Sequence, residues 1–365
     1  MIRFDKIRFR DYLSEGEGDT MKNVGINEIA ERLNISRNTV SKVMNNRGSV
    51  ADKTRKKIIE TAIEMGYSKL PEHLSEGYSN KNTMKNILVI ATSPDFSSFW
   101  GKIINGITKE LAEQEYQCFY HFLTFEQATH FTLPKLVESK ELAGIIVMNV
   151  YNIDAIKSIA TLGLPTVYYD LPLGIDIREA KADVVVAEGR KSVFYLTEQL
   201  IKQGDRKIGF IGDASYCRSI EDRWRGFMRA HEIYNIPINK EYCFTNKQGH
   251  FYFGEEVERT LEEVLSDRIN LPEALVCAND AIAYKVINQL KAYGYSIPED
   301  IRITGFDDID VLGEKELTSV GIDISDIGIR LAEQLVWRIE HPTRNNEMIK
   351  IYGDIHFRKS SQRSV

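Results

Sequence analysis

Apolar residues near the N-terminus recur at the spacing of a short amphipathic helix. Ile26, Ile29, Ala30 and Leu33 lie at positions i, i+3, i+4 and i+7, so they share one helix face. Asn34 follows where a left-handed backbone is expected, because Asn, after Gly, tolerates that conformation best. The pattern therefore predicts a helix that ends in a tight turn.

A second short helix is predicted directly after this turn. Ser36 is placed to cap its N-terminus, and Val40 and Val43 form an inward face. A third helix over about 52–65 is expected to close a three-helix core. The outward face of the second helix carries side chains that suit phosphates and base edges: Arg37, Asn38, Ser41, Lys42 and Asn45. This pattern predicts a helix-turn-helix whose second helix enters the major groove of DNA, although two small helices also occur within ordinary helical domains.

The charge distribution discriminates between these two interpretations. Residues 21–70 hold ten Lys and Arg against five Asp and Glu, whereas the whole chain has a net charge of -6. A basic N-terminal module on an acidic body is typical of a protein in which one small domain binds a polyanion. The distribution favours DNA binding.

Length and composition limit the class of protein. A chain of 365 residues with 43% hydrophobic and 27% charged residues predicts a soluble globular protein of two or three domains. No apolar run reaches the roughly 18–20 residues that span a bilayer, and the N-terminus lacks the apolar core of a signal peptide. The four cysteines are scattered without metal-ligand spacing. We therefore expect a cytoplasmic protein without a membrane segment, metal or cofactor.

Residues 1–20 have no clear hydrophobic period, and they include the tetrapeptide 15–18, Glu-Gly-Glu-Gly, just before Met21. Glu and Gly codons are purine-rich, so this stretch suggests a translated ribosome-binding site. On that hypothesis Met21 is the true start, and 1–20 is a disordered extension. The alternative is a basic arm that reaches into a minor groove.

From residue 86 onward, short apolar runs alternate with amphipathic helical patterns. Such alternation predicts parallel sheets with helices on both faces, here two sheets with a cleft between them. Strands are predicted at 87–91, 118–122, 144–148, 166–169, 184–186, 207–211, 274–277 and 301–305. Helices are predicted at 100–114, 125–138, 154–161, 189–203, 221–232, 255–265, 281–294 and 326–339. Neither a dinucleotide fingerprint nor a P-loop occurs, and no nucleophile–base pair suggests an enzyme.

Motifs along the whole chain resemble those of the lac repressor/galactose repressor family of bacterial regulators. The head contains ISRNTVSKVMN at 35–45. The body continues in family order with LGLPTVYYD at 162–170, GDRKIGFIG at 204–212, RWRGF at 223–227, PEALVCAND at 272–280, PEDIRITGFDD at 298–308 and HFR at 356–358. The resemblance covers about residues 24–360.

The resemblance implies a small all-α helix-turn-helix head and an α/β core like that of periplasmic binding proteins, with two doubly wound parallel-sheet subdomains. The head is expected at 21–67, a hinge or linker at 68–85, and an effector-binding and dimerisation core at 86–360. Within the core, the expected subdomain boundaries are 86–183 with 325–343 for the first subdomain, and 184–322 with 348–360 for the second.

The resemblance also implies an effector site in the cleft. It assigns Ser97, Trp100 and Asp170 to the first subdomain side, and it assigns Arg223, Asn279 and Asp307 to the second. Carboxylates, forked Arg and Asn donors and an indole face suit a polyhydroxylated ligand, so a sugar or sugar derivative is expected. Core packing remains the alternative for Trp100, and Asp280 is expected to cap a helix. A purine, nucleotide or partner protein is the alternative effector.

The implied partner of the head is a pseudo-palindromic DNA operator, bound by a homodimer. Arg37, Asn38 and Lys42 are expected to read base edges, with Ile26 and Ser49 as weaker candidates. Phosphate contacts are expected from Ser36, Ser41, Asn45 and Thr54. The hinge departs from the family pattern because it lacks the Ala-Arg pair, which leaves Leu74 as the candidate minor-groove wedge.

Overall fold

The computed structural model describes residues 24–45, 50–65, 67, 70, 85–92, 98–138, 142–245, 271–309 and 315–362. The chain divides into two compact units, Met1–Thr83 and Met84–Val365. In the described ranges, no helix is long and apolar enough to cross a membrane.

The first unit contains three short helices, α1 (Ile26–Leu33), α2 (Arg37–Met44) and α3 (Asp52–Glu64). One residue from each helix, Ile29, Val40 and Ile58, is fully buried in a shared apolar cluster. Tyr67 and Leu70 also pack against this cluster, so apolar packing continues into the segment expected to be a linker. The three helices therefore close the core that the apolar spacing predicted.

The turn between α1 and α2 confirms the expected local chemistry. Asn34 has a φ of 52°, which is the left-handed conformation predicted for it. The Ser36 Oγ accepts a hydrogen bond of 3.1 Å from the Thr39 backbone N–H, so Ser36 caps α2 as expected. These two residues set the direction in which α2 leaves α1.

The second unit contains a first sheet of six strands, all parallel. The strands are β1 (Lys85–Thr92), β2 (Tyr116–Leu123), β3 (Leu142–Met148), β4 (Thr166–Tyr169), β5 (Asp183–Ala187) and β11 (Met348–Ile351). Their spatial order is β11-β5-β4-β3-β1-β2. Val89 and Leu88 pack into different apolar clusters because successive side chains point to opposite faces. Both faces are therefore buried, as the continuous apolar runs predicted.

A second parallel sheet has the order β7-β6-β8-β9. Its strands are β6 (Ile208–Ile211), β7 (Cys243–Phe244), β8 (Ala274–Cys277) and β9 (Arg302–Thr304). Two further strands, β10 (Ser319–Gly321) and β12 (Asp354–His356), pair antiparallel. The doubly wound architecture predicted from the sequence is confirmed.

Eight helices accompany these sheets within the described part of the second unit. They are α4 (Ser98–Glu113), α5 (Phe125–Thr129), α6 (Ile153–Ala160), α7 (Ile177–Ala180), α8 (Arg190–Lys202), α9 (Arg218–Ile233), α10 (Asp280–Ala292) and α11 (Ile324–Glu340). The single helix expected at 125–138 is instead α5 followed by a separate 3₁₀ turn, Lys135–Glu138. The helix expected at 255–265 lies outside the described residues.

The expected subdomain boundaries need correction at two strands. Residues 184–187 and 348–351 were expected in the second subdomain, but β5 and β11 pair with each other in the first sheet. Asp183, which is fully buried, helps to hold them there. Its carboxylate accepts hydrogen bonds from Arg338 Nε at 2.9 Å and Nη2 at 2.7 Å, and from the Glu347 backbone N–H at 2.9 Å. The first subdomain therefore extends to Ala187 and includes β11.

Candidate functional site

Helix α2 divides into a buried face and an exposed polar face. Val40 and Val43 are fully buried and Met44 is 5% exposed, whereas the side chains between them face outward. The residues at exposed positions of this helix and its caps are Ser36, Arg37, Asn38, Lys42 and Asn45, with Ser41 half-buried. The structure thus presents the predicted cationic and amide groups together on one short helix.

Some polar groups of this surface already have intramolecular partners. The Ser36 and Thr39 hydroxyls lie 2.8 Å apart, and Asn45 Nδ2 donates to the Ser41 carbonyl oxygen at 2.9 Å. Ile26 is half-buried against the apolar cluster of the first unit, and Thr54 is half-buried on α3. The candidates Ser49 and Leu74 lie outside the described residues.

The carboxyl ends of strands from both sheets of the second unit meet at a common site, here called the interdomain cleft. Tyr169 ends β4 in the first sheet, and Asp307 follows β9 of the second. Burial raises the pKa of Tyr169; the nearby Asp307 raises it further, whereas Arg223 on α9 lowers it. The pKa of Tyr169, in the first subdomain, thus depends on two residues of the second subdomain. In α/β sheets, ligands bind at the carboxyl ends of the strands.

Asp170 connects the two subdomains through the α9 N-terminus. It directly follows β4, has a φ of 64° and is 2% exposed. Its Oδ1 accepts from the Leu171 backbone N–H at 2.7 Å, and its Oδ2 accepts from the Ser219 backbone N–H at 3.2 Å. Burial raises the pKa of Asp170, although these hydrogen bonds oppose that shift. Both carboxylate oxygens therefore have backbone partners.

Arg223 and Asp307 form a buried, loosely paired couple on the second subdomain side. Arg223 Nη2 lies 3.6 Å from Asp307 Oδ1, and the two side chains are 6% and 12% exposed. Arg223 Nη1 donates to the Ala278 carbonyl oxygen at 2.6 Å, and the guanidinium lies 3.6 Å from the centre of the Phe306 ring. Burial raises the pKa of Asp307 to about 6, despite the opposing charge of Arg223.

The start of α10 corrects one expectation about Asp280. Asn279, and not Asp280, caps the helix, because Asn279 Oδ1 accepts from the Ile282 backbone N–H at 2.9 Å. The fully buried Asp280 accepts from Ser319 Oγ and from the Ile309 backbone N–H, both at 2.7 Å. It thereby holds the segment that carries Asp307. Burial and the neighbouring Asp307 raise the pKa of Asp280 to about 8.

More aromatic rings lie near the expected effector site than the sequence predicted. Trp100 makes edge contacts with Phe99, at a centroid distance of 5.1 Å, and with Tyr169 at 5.9 Å. It is partly buried and also packs against the first-subdomain core. Tyr151 and Tyr216 contact each other at 4.7 Å. Ser97 lies outside the described residues.

A positional signal for these tyrosines was present in the sequence. Tyr151 and Tyr169 stand at or just after the ends of predicted parallel strands, where ligand-contacting residues gather. Tyr216 follows β6 in the same way. Apolar patterning alone does not reveal this role, because it cannot distinguish an aromatic residue that lines a cleft from one that fills a core.

Comparisons with known proteins agree with both units. Residues 25–69 match the family described as bacterial regulatory proteins, lacI family, and residues 197–361 match a periplasmic binding protein-like domain. The NTD biosynthesis operon regulator NtdR of Bacillus subtilis is 26% identical over 344 residues, which cover 92% of this chain and 99% of NtdR. The HTH-type transcriptional repressor PurR of Pasteurella multocida is 26% identical over 339 residues, or 92% and 98% of the two chains.

Solved structures share the same fold. The regulator CelR in complex with cellobiose has a TM-score of 0.65 at 21% identity, with 92% of this chain and 99% of CelR covered. The lac repressor dimer bound to operator and the anti-inducer ONPF has a TM-score of 0.63 at 17% identity, with 94% and 100% covered.

A helix-turn-helix head joined to a periplasmic-binding-protein-like core defines a transcription regulator that binds DNA and is controlled by a small molecule. The chain thus combines a head that matches the lacI family of bacterial regulatory proteins with a periplasmic binding protein-like domain, and it is similar over about nine-tenths of its length to regulators of transcription.

Proposed function

We propose that this regulator is a cytoplasmic, homodimeric repressor that reads an approximately palindromic operator with α2. We propose further that a sugar or sugar derivative in the interdomain cleft controls it. Two heads on a two-fold dimer bind two half-sites, so the symmetry of the operator follows from the symmetry of the protein.

The observation that carries the DNA-reading assignment is the division of α2 into two faces. Arg37, Asn38 and Lys42 stand at exposed positions, while the opposite face is buried in the three-helix core. Arg and Asn each offer two hydrogen-bonding groups to a base edge, and Lys offers a mobile cation. The residues proposed to bind phosphates are Ser36, Ser41, Asn45 and Thr54. Ser49 and Ile26 are weaker candidates for base contacts. Leu74 is the proposed side chain that inserts into the minor groove.

The test uses an operator selected by the full-length protein from random duplex DNA. We expect Arg37→Ala and Lys42→Ala each to weaken operator binding by about tenfold or more, because a good base contact contributes about 1–3 kcal/mol of discrimination. Binding to random DNA should fall less. Lys109→Ala removes the same charge from an exposed position on α4 and should leave both affinities unchanged. Wild-type operator affinity in both head variants would refute the assignment.

The sugar assignment rests on the chemistry gathered at the cleft. Asp307 supplies an acceptor and Arg223 a donor through Nη2, and Trp100 and Tyr169 supply ring surfaces that suit sugar C–H groups. The Asn279 amide oxygen caps α10, and its amide nitrogen is proposed to contact the ligand. We retain Asp170 and Ser97 as proposed contacts. Cellobiose in CelR is consistent with this assignment.

The sugar assignment is tested by the thermal stability of the full-length protein with sugars, sugar derivatives and purines. A rise in the melting temperature with a carbohydrate, and none with purines or nucleotides, is the expected result. A rise with purines or nucleotides alone would replace the sugar assignment by the alternative effector class.

A further inference from the structure

The Asp307 carboxylate is buried beside a single cation that lies too far away to donate a hydrogen bond to it, and this bears on the charge of the effector. We infer that the effector is a polyhydroxylated ring with an ammonium group, which binds the Asp307 carboxylate. The inference rests on the sugar-binding function proposed above. It predicts that phosphorylated sugars, uronates and nucleotides bind poorly.

The Asp307 carboxylate lacks a full set of partners among the described residues. Its ion pair with Arg223 Nη2 is 3.6 Å long, which exceeds a hydrogen bond. None of the described side chains or backbone groups donates a hydrogen bond to this carboxylate. Its side chain is nevertheless only 12% exposed, so water replaces the missing donors poorly. A ligand ammonium would supply both the charge and the donors.

Arg223 offers little attraction for an anionic ligand, because its guanidinium already contacts protein groups through Nη1, Nη2 and its planar face, and its unpaired Nε is buried. Its Nη1 donates to the Ala278 carbonyl oxygen, and its planar face lies on Phe306. Its Nη2 faces Asp307. An incoming phosphate or carboxylate would compete for these contacts and would also approach the Asp307 carboxylate. Both effects disfavour a ligand with negative charge.

The acidic groups on the neighbouring elements differ in charge and in partners. Asp170 after β4 and Asp280 on α10 are buried and have no ion-pair partner among the described residues, but Asp280, whose pKa is raised to about 8, is mostly protonated at pH 7. Asp308 is different, since Arg358 forms two hydrogen bonds with its carboxylate. Arg223 is therefore the one cation among the described residues that forms an ion pair with Asp307.

The raised pKa values of Asp307 and Asp280 agree with the shortage of hydrogen-bond donors around Asp307. Burial raises the pKa of Asp307 to about 6, and burial together with Asp307 raises the pKa of Asp280 to about 8. A raised carboxyl pKa means that burial penalises the ionised form more than nearby charges and hydrogen bonds stabilise it. An ammonium group beside Asp307 would stabilise the ionised form and lower its pKa.

Aromatic rings on the opposite side of the cleft are compatible with a cationic ring ligand. The pKa of Tyr169 responds to Asp307, so the phenol and the carboxylate lie close together. Trp100 contacts Tyr169, and the pKa of Tyr151 responds to both Asp170 and Tyr169. The faces of such rings attract cations as well as sugar C–H groups.

The experiment compares ligands that differ only in charge. The probes are matched sets on the gluco, galacto and manno rings: the hexose, its amino sugar, the N-acetyl derivative, the 6-phosphate and the uronate. Melting temperature and calorimetric affinity are measured with the full-length protein at pH 7 and low salt. We expect the amino sugar to bind at least tenfold more tightly than its parent, since charged hydrogen bonds exceed neutral ones in strength. The N-acetyl derivative should lose this advantage.

Two variants test whether Asp307 causes the preference for the amino sugar. Asp307→Asn should bring the affinities for amino sugar and parent hexose to within about threefold of each other. Glu232→Gln removes one negative charge from an exposed position at the end of α9 and should preserve the wild-type ranking. The ranking of the matched probes by the wild-type protein tests the inference even if Asp307→Asn does not fold.

The outcomes separate the inference from the function on which it rests. A preference for the amino sugar that disappears in Asp307→Asn supports the inference. Equal or tighter binding of the neutral or anionic member overturns it and leaves the sugar-binding function intact. If the wild-type protein responds to no carbohydrate of any charge, the proposed sugar-binding function fails and the inference fails with it.

Discussion

Asp307 combines two features that lower stability and that a ligand site can use. Its backbone has a φ of 104°, a region that side chains other than Gly rarely adopt, and its carboxylate is buried beside a single distant cation. Asp280 anchors this segment, because its carboxylate accepts hydrogen bonds from the Ile309 backbone N–H and from Ser319 Oγ. The surrounding network therefore maintains a residue that is unfavourable on its own, as is common at functional sites.

A first prediction concerns the pH dependence of stability at this residue. The pKa of Asp307 rises from its ordinary value of 3.8 to about 6 in the fold, so its ionised form destabilises the folded state. This cost is absent well below pH 4, grows as the pH rises toward 6 and then stays constant. Asp307→Asn should therefore gain stability relative to wild type over that range, by about 1–3 kcal/mol.

The neighbouring Asp308 provides a control of opposite sign. Burial alone would raise its pKa, but hydrogen bonds from Arg358 and Lys315 lower it overall. Asp308→Asn should therefore lose stability above pH 4 relative to wild type, and the loss should shrink in acid. Urea unfolding from about pH 3 to pH 8 measures both differences, since the change for Asp308→Asn falls mainly below pH 4. A pH-independent difference for Asp307→Asn would contradict the first prediction. Arg223, Asp280 and Tyr169 are titratable groups on neighbouring elements that interact with Asp307.

At the scale of elements, the first subdomain depends on a very close crossing of α4 and α11. A Cβ added at Gly106 would collide with the Ser325 carbonyl oxygen, and one added at Gly328 would collide with the Ile103 carbonyl oxygen. The two glycines thus allow each backbone to approach the other. Ile107 and Leu331 then bury their side chains beside the crossing.

The second prediction follows from this crossing. Gly106→Ala and Gly328→Ala should each destabilise the second unit by at least about 1–3 kcal/mol, because the new methyl group meets rigid backbone. Gly101 lies on the same helix α4, but a Cβ there would meet nothing within 4 Å. Gly101→Ala should be neutral or should stabilise by up to about 1 kcal/mol, through the higher helix propensity of Ala. Equal effects of the three substitutions in urea unfolding would rule out the close-crossing explanation.

The elements that the sequence predicted are those with continuous apolar runs or strong helical periodicity. Thr166–Tyr169 and Ala274–Cys277 match the predicted strands, because their apolar runs are bounded by turn residues. β10 and β12 have only three residues each, and β11 is half-exposed along an edge, so none produces a clear apolar signal. The placement of β11 also depends on the Asp183 network, which joins residues more than 150 positions apart.

The candidate effector site could be predicted only in part from the sequence. Arg223, Asn279 and Asp307 follow from motifs, but the partners that occupy their polar groups do not. Sequence alone did not reveal that backbone N–H groups take both oxygens of Asp170, or that Asn279 rather than Asp280 caps α10. Such contacts depend on three-dimensional packing between distant segments, whereas the DNA-reading face of α2 depends only on helical spacing.

At the scale of the whole molecule, the chain consists of two units that each bury their own apolar residues. Ile29, Val40 and Ile58 form the core of the first unit, while separate clusters form around the two sheets of the second. The first unit contains the basic residues of 21–70, which favour binding to DNA, whereas the second unit is acidic. DNA and effector therefore stabilise different parts of the same chain.

The last prediction is that the two units unfold in separate calorimetric transitions, each raised by its own ligand. A selected operator duplex at low salt should raise the transition of the first unit, because only the folded head binds it. A ligand at a hundredfold excess over its Kd in the cleft should stabilise the second unit by about 2.7 kcal/mol. Arg37→Ala should reduce the first shift alone, and Asp307→Asn the second alone. A single transition that both ligands raise equally would show that the units unfold together, contrary to their separate cores.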